Sequence, residues 1–288
     1  MFVGRFASSR SHLEKALALY DPTSHRSLVH QAGVHPQVFS QAYLGNVLFC
    51  LGFPDRAMAR NNANIPEARR LGHPPSLAGG LAIGARLLSL AEDYAALDQW
   101  VDQLIVVATE QSFPHWRAQG TIYRGWVKIR NGDVADGMAL LRSGSAAYRA
   151  GGAELLVPHY MALRASAYEI TGQVEEGLSL LDDALRVVER TGERWFAAEL
   201  NRHKGQLLLR QGNSETAEQL YRKALSIAKE QEAKLWELRA AMSLARLRRE
   251  QDRSSEARDL LAPVYGWFTE GFDTPDLKEA KALLNDLG

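Results

Sequence analysis

Gly79, Gly80 and Gly84 stand close enough to cradle a phosphate with backbone N–H groups. That chemistry needs a strand feeding the glycine loop and a helix leaving it, and these glycines fall inside a helical apolar pattern with no strand before them. Close helix packing accounts for them better. His25, His30 and His35 carry the commonest metal-ligating group, yet a spacing of five gathers three imidazoles neither on one helix face nor across a hairpin. They read as polar loop residues. Cys50 is the single cysteine, which excludes an intrachain disulfide and a cysteine-rich zinc site. With no base evident beside it, it reads as a buried spectator thiol. Asp182-Asp183 and Glu175-Glu176 are adjacent in sequence, so each pair diverges around its helix instead of converging on a substrate. The chain has no G-x-x-x-x-G-K-S/T string. No catalytic residue, no metal site and no cofactor is assigned, and the chain is expected not to be an enzyme.

The elements that would position any site come from a repeat. One phase of period 40 reads Gly45, Ala85, Gly125, Ala165, Gly205, Ala245, all small. Seven residues on, Gly52, Glu92, Gly132, Gly172, Gly212 and Asp252 form a turn phase in which glycine ends a helix at positive φ. Twelve after the small phase come Ala57, Leu97, Gly137, Gly177, Ala217 and Ala257. Apolar residues between turns follow a helical period, as in Leu178, Leu181, Leu185 and Val188. Each unit therefore reads as two antiparallel helices joined by a short turn, with small residues where they cross. Six such hairpins cover about 36–272, within a single array spanning 1–288. Met1–Tyr20 reads as a half-repeat, the second helix of a unit, and is expected to fray first. Residues 21–36 read as a longer loop. Pro66 and Pro263 are expected to kink or shorten their helices, and Thr274-Pro275-Asp276 to open a capping helix over 274–287.

Composition agrees with a folded protein: apolar residues are 46% and charged residues 24%, with 34 basic against 34 acidic side chains. Residues 1–150 carry +4 and residues 151–288 carry −4. No global field points to nucleic acid or a membrane, and charged residues interrupt every apolar run of spanning length. The expected location is the cytoplasm.

Helical repeats of this length fit HEAT, armadillo or lengthened tetratricopeptide units, and spacing decides for the last. A small residue, a turn glycine seven later, an alanine twelve later and a small residue nineteen later (Asn64, Leu104, Gly144, Ala184, Ala224, Val264) resemble the tetratricopeptide pattern. The fold class is thus all-α: a tetratricopeptide-like right-handed α-solenoid of about six 40-residue hairpins plus a half-repeat and a C-terminal capping helix. Longer strings carry a second resemblance: Tyr20-Asp21-Pro22 with His25-Arg26, Leu51-Gly52-Phe53-Pro54-Asp55, Thr191-Gly192-Glu193-Arg194-Trp195, Leu238 to Arg246 and Leu261 to Leu284. These look like the C-terminal repeat region of bacterial signalling proteins that join a class III adenylate/guanylate cyclase domain to a STAND-type ATPase. The chemistry of those upstream domains maps onto no residue here.

In tetratricopeptide arrays the first helix of each hairpin lines the groove. The resemblance therefore implies a binding surface made of Phe39, Phe49, Arg86, Trp126 and Arg130, with Ile122 and Ile129 beside them. Beyond these come Arg202, Arg210, Arg239, Arg246 and Arg249 set against Glu199 and Glu250. Tryptophan and arginine are the side chains that dominate binding hot spots. The competing assignment puts Trp126 in the core. The implied function is a non-catalytic sensor or scaffold arm that binds a protein or peptide, with upstream cyclase/ATPase domains as partners. A small-molecule-sensing domain and a self-associating homo-oligomer module are the alternatives. Neither nucleic acid nor membrane is expected as a partner.

Overall fold

A computed structural model describes residues 1–288 apart from 22, 23, 26 and 27, with the backbone alone at residue 30. Pro22 and Arg26, and the His30 side chain, thus lie outside the described residues. Among the described residues the chain forms fifteen helices and no strand. The first helices of the hairpins are α3 (Pro36–Cys50), α5 (Pro74–Leu90), α7 (Pro114–Arg130), α9 (Val157–Ile170), α11 (Ala197–Arg210) and α13 (Lys234–Glu250). Their partners are α4 (Pro54–Arg70), α6 (Tyr94–Glu110), α8 (Val134–Ala150), α10 (Val174–Thr191), α12 (Ser214–Glu230) and α14 (Ser254–Tyr265). Ahead of them stand α1 (Phe6–Leu19) and α2 (Leu28–Ala32), the latter inside the stretch expected to be loop, and α15 (Pro275–Asp286) closes the series.

The turn phase does what its residue types demand. Gly52, Gly132, Gly172 and Gly212 adopt φ between 74° and 92°, and Glu92 and Asp252 are driven into the same region at 58° and 59°. At the turns of Glu92, Gly132, Gly172, Gly212 and Asp252 a helix ends in a six-to-one bond, as from Asp133 N–H to the Lys128 carbonyl (2.9 Å), the arrangement that satisfies a helix's last carbonyls. A second positive-φ phase joins successive hairpins at Gly72, Ser112, Gly152, Gly192 and Glu232. The small phase is where paired helices touch. A Cβ on Gly125 would fall 2.7 Å from the Gly137 carbonyl, and one on Gly137 would fall 2.6 Å from that of Gly125.

The helices gather into two compact units. The earlier holds Ala7–Phe49 and Pro54–Glu154, and the later holds Met1–Phe6, Cys50–Phe53 and Leu155–Gly288. In the earlier unit Ile65, Ala78, Leu81, Ala82 and Leu104 form a core cluster joined by Trp100 and Trp116. In the later unit Ala217, Tyr221, Leu244 and Leu247 do the same.

Two expectations change, one at Pro66 and one at Thr274. Helix α4 keeps the 17 residues of its neighbours despite Pro66. Residues 62 and 66 are both exposed, so the carbonyl that loses its donor meets water. Helix α14 is shortened to 12 residues around Pro263. Thr274 makes no side-chain cap; its hydroxyl donates back to the Gly271 carbonyl at 2.6 Å. At the start of the chain Phe6 is fully buried and the Phe2 carbonyl accepts bonds from Arg194 and Trp195 N–H at 2.8 and 3.0 Å, while α1 beyond Phe6 is exposed or only part-buried.

Candidate binding surface on the first helices

In the earlier unit the expected site residues divide by burial. Phe49, Ile122 and Ile129 are interior, Trp126 is 6% exposed and Arg86 only 1%. The core assignment of Trp126 is therefore the one seen, and Phe49 is likewise core. Arg86 donates from Nε to Asn46 Oδ1 at 2.8 Å beneath the Tyr43 ring, while Asn46 spends its amide on the Ala42 and Ile83 carbonyls. That network ties α3 to α5 and presents no guanidinium to a ligand. Phe39 lies part-buried over Gly79, where a Cβ would fall 2.2 Å from its Cζ, so the glycine makes room for a ring and no phosphate loop exists. Arg130 is exposed, its guanidinium 4.8 Å from the Tyr94 ring centre and 5.7 Å from that of Trp126. The histidines meet unexpectedly at Tyr20, whose hydroxyl is 3.0 Å from His35 Nε2 and whose ring packs near His25.

The later unit gathers the remaining arginines. Helices α9, α11, α13 and α15 pack side by side, and ion pairs run across them at one-repeat spacing. Glu169 of α9 accepts from Gln206 (2.9 Å) and Arg210 (2.8 Å) of α11. Glu199 of α11 is chelated by Arg202 at 2.7 and 2.9 Å and reached by Arg239 of α13 at 3.4 Å. Arg239 in turn grips Asp276 of α15 through two bonds of 2.7 and 2.9 Å. Arg246 pairs with Glu279 at 2.9 Å and Arg249 with Asp286 at 3.3 Å. The acidic partners Glu169, Glu279 and Asp286 were not singled out from the sequence, and Asp276 only as an early acid of the capping helix. Their signal was an acid standing 33 to 41 positions from an arginine.

Burial grades this ladder. Glu199, Arg202, Arg239 and Asp276 lie at the closed end, whereas Arg210, Arg246 and Arg249 keep 56%, 42% and 39% of their side chains in solvent. Burial opposes the Glu199 charge, but Arg202 and then Arg239 overcome it and hold the carboxyl at about 2. Burial, reinforced by Arg202, pushes His203 down to about 3, so its imidazole is neutral. Burial raises the Tyr221 hydroxyl to about 12. The closed end is a structural knot, and the open end offers guanidinium groups whose partners are the exposed carboxylates Glu279 and Asp286 and the part-buried Glu169. Among the described residues no helix is long and apolar enough to cross a membrane.

The tetratricopeptide repeat family model matches residues 158–230 and 196–262. An uncharacterized protein of Rhizobium meliloti (strain 1021) is 25% identical over 247 residues, covering 85% of this chain. The chain spans about a quarter of that relative's length (24%). Among solved structures, a Rap protein complexed with competence and sporulation factor aligns with TM-score 0.62 at 11% identity, over 99% of this chain and 80% of that one. The apo quorum sensor NprR of B. thuringiensis gives 0.58 at 14%, over 98% and 79%. A STAND protein with a tetratricopeptide repeat sensor from Pyrococcus horikoshii gives 0.50 at 10%, over 92% and 44%. Residues 158–262 carry tetratricopeptide repeats, and the fold is that of an all-helical, tetratricopeptide-like solenoid.

Proposed function

We propose that residues 1–288 are a cytoplasmic, non-catalytic interaction module that binds a protein or peptide along its first helices, as the sensor or scaffold arm of a cyclase/ATPase signalling protein. Tetratricopeptide-type repeats are typical of protein-interaction modules, and the Rap protein named above is a structural relative seen in complex with competence and sporulation factor. The observation that carries the reading is the open end of the ladder. Arg210, Arg246 and Arg249 are exposed guanidinium groups in one row, each holding a carboxylate that a ligand's carboxylate can replace. Arg202 and Arg239 back this row, and Phe39 with Arg130 supplies the part-exposed counterpart in the earlier unit. Trp126, Arg86 and Phe49 contribute by shaping the helices behind the surface.

Such exchange favours an acidic peptide and makes affinity salt-dependent. A thermal-shift screen of acidic peptides against small metabolites tests it, followed by fluorescence titration of a stabilising peptide at two salt concentrations. The triple variant Arg210→Ala, Arg246→Ala, Arg249→Ala is expected to bind at least tenfold more weakly with unchanged helical content. Stabilisation by metabolites alone, or an unaffected triple variant, overturns the proposal. A physical candidate for the small-molecule alternative is a pocket of about 250 Å³ in the earlier unit, lined in part by Arg69, His73, Leu77, Val107 and Glu110.

A further inference from the structure

The turns that join hairpins in the later unit differ in length. Three residues separate α12 from α13, whereas five, residues 192–196, separate α10 from α11. A longer turn leaves backbone donors outside any helix, and a buried donor needs an acceptor. The preceding long turn meets this need within the repeats: Leu156 N–H, at φ 69°, is received by both carboxylate oxygens of Glu193 at 3.0 Å. The turn at 192–196 receives its acceptor from the far end of the sequence, where the Phe2 carbonyl takes both Arg194 and Trp195 N–H.

The segment Met1–Phe6, itself part of the later unit, is shaped for that seat. It folds on itself through Gly4 N–H to the Met1 carbonyl (2.8 Å). Gly4 takes φ +82° against Gln231, where a Cβ would fall 2.6 Å from Nε2. Gln231 is fixed by its own donation to the Arg194 carbonyl at 2.8 Å. Phe6 is fully buried, while Val3 is 58% exposed. The contacts thus read the backbone carbonyl of residue 2 and a glycine two positions on, with a buried ring following at residue 6.

We infer that the turn at residues 192–196, with Gln231, is a receptor for a short peptide segment, filled in cis by Met1–Phe6 and able to take from another chain a segment of the same kind, with a glycine two positions after the bound carbonyl. The recognition is carried by one backbone carbonyl and one glycine, few enough contacts that occupancy rests on tethering. A tethered segment enjoys an effective concentration on the order of millimolar, and weakening it in cis opens the seat to a competitor. This site is separate from the arginine row and stands or falls without it.

Gly4→Val removes the cis occupant without touching the receptor. Amide hydrogen exchange at Arg194 and Trp195, followed by NMR in the full chain, is expected to accelerate at least tenfold in the variant. A synthetic peptide of residues 1–8 at saturation should restore slow exchange, and the same peptide carrying Gly4→Val should not. Val3→Ala serves as the control that leaves both amides slow. Should Gly4→Val lose helical content, Gly4→Ala takes its place, with a smaller acceleration in the same direction, because its Cβ alone already falls 2.6 Å from Gln231 Nε2 at a positive φ. Amides that stay as slow in Gly4→Val as in the parent, or that the peptide fails to protect, overturn the inference.

Discussion

Glu199 and His203 sit one turn apart on α11, 3.8 Å from Nε2 to Oε2, and both keep pKa values far below their ordinary ones. The two depressions act on stability in the same direction. His203 ordinarily titrates at 6.5 but holds out to about 3 in the folded chain, so the unfolded chain takes up a proton first as the pH falls. Its contribution is complete above pH 6.5 and drains away down to about 3. Glu199, ordinarily at 4.5 and here at about 2, loses its contribution between those values. At pH 5 only the histidine has begun to act, at a cost of about 2 kcal/mol relative to pH 7.5. His203→Gln keeps the size and removes the titration. Urea midpoints at pH 7.5 and pH 5 should therefore lie closer together in the variant than in the parent, with the difference corresponding to that amount. An equal spread in both proteins would place the acid sensitivity elsewhere, with His35 and His115 as the next candidates because burial lowers each of them.

At the scale of the helix, the positive-φ turns set the register of every hairpin, and four of them are paid in backbone strain. Glu92, Ser112, Glu232 and Asp252 occupy the left-handed region at φ 53° to 59°, where a side chain costs roughly 1 kcal/mol relative to glycine. Glu92→Gly and Asp252→Gly are each expected to stabilise, raising Tm by a few degrees together. Unchanged or lower melting would show that these side chains make compensating contacts. The turn phase was readable because four of six positions are glycine and the others polar. The joining phase at 72, 112, 152, 192 and 232 was not, since a serine and a glutamate interrupt it. The helical crossing at Gly125 and Gly137 was likewise readable from residue size alone. Which side of α7 faces inward was not: a tryptophan at a groove phase and one at a core phase look the same in sequence, and packing put Trp126 inside. The arginines could be placed on α11 and α13, but not their partners, because an ion pair between neighbouring repeats leaves no local mark. The seat of Phe2 on Arg194 and Trp195 joins points nearly two hundred residues apart, with no periodicity to announce it.

In the later unit each hairpin touches only its neighbours, so stability should be distributed as a chain of interfaces and lost from the end inward. The terminal interface is the one α15 makes with α13 and α14. It combines buried Leu277, Ala280 and Leu283 with the bidentate Arg239–Asp276 pair, in which each side chain is only 11% exposed. Arg239 has a second carboxylate in Glu199, whereas α15 has no comparable anchor in that first turn. Asp276→Asn should therefore loosen α15 while leaving Arg239 held, weakening the interface by about 2 kcal/mol for a charge-assisted pair of this kind. In hydrogen exchange that predicts amides of α15 opening roughly thirtyfold faster, since 1.4 kcal/mol is a factor of ten. Amides of α9 and α10 should keep the parent's rates, because two hairpins stand between them and the lesion. Equal acceleration in α9, α10 and α15 would mean that the later unit opens as one cooperative body, and the ion pairs across its first helices would then be the coupling that makes it so.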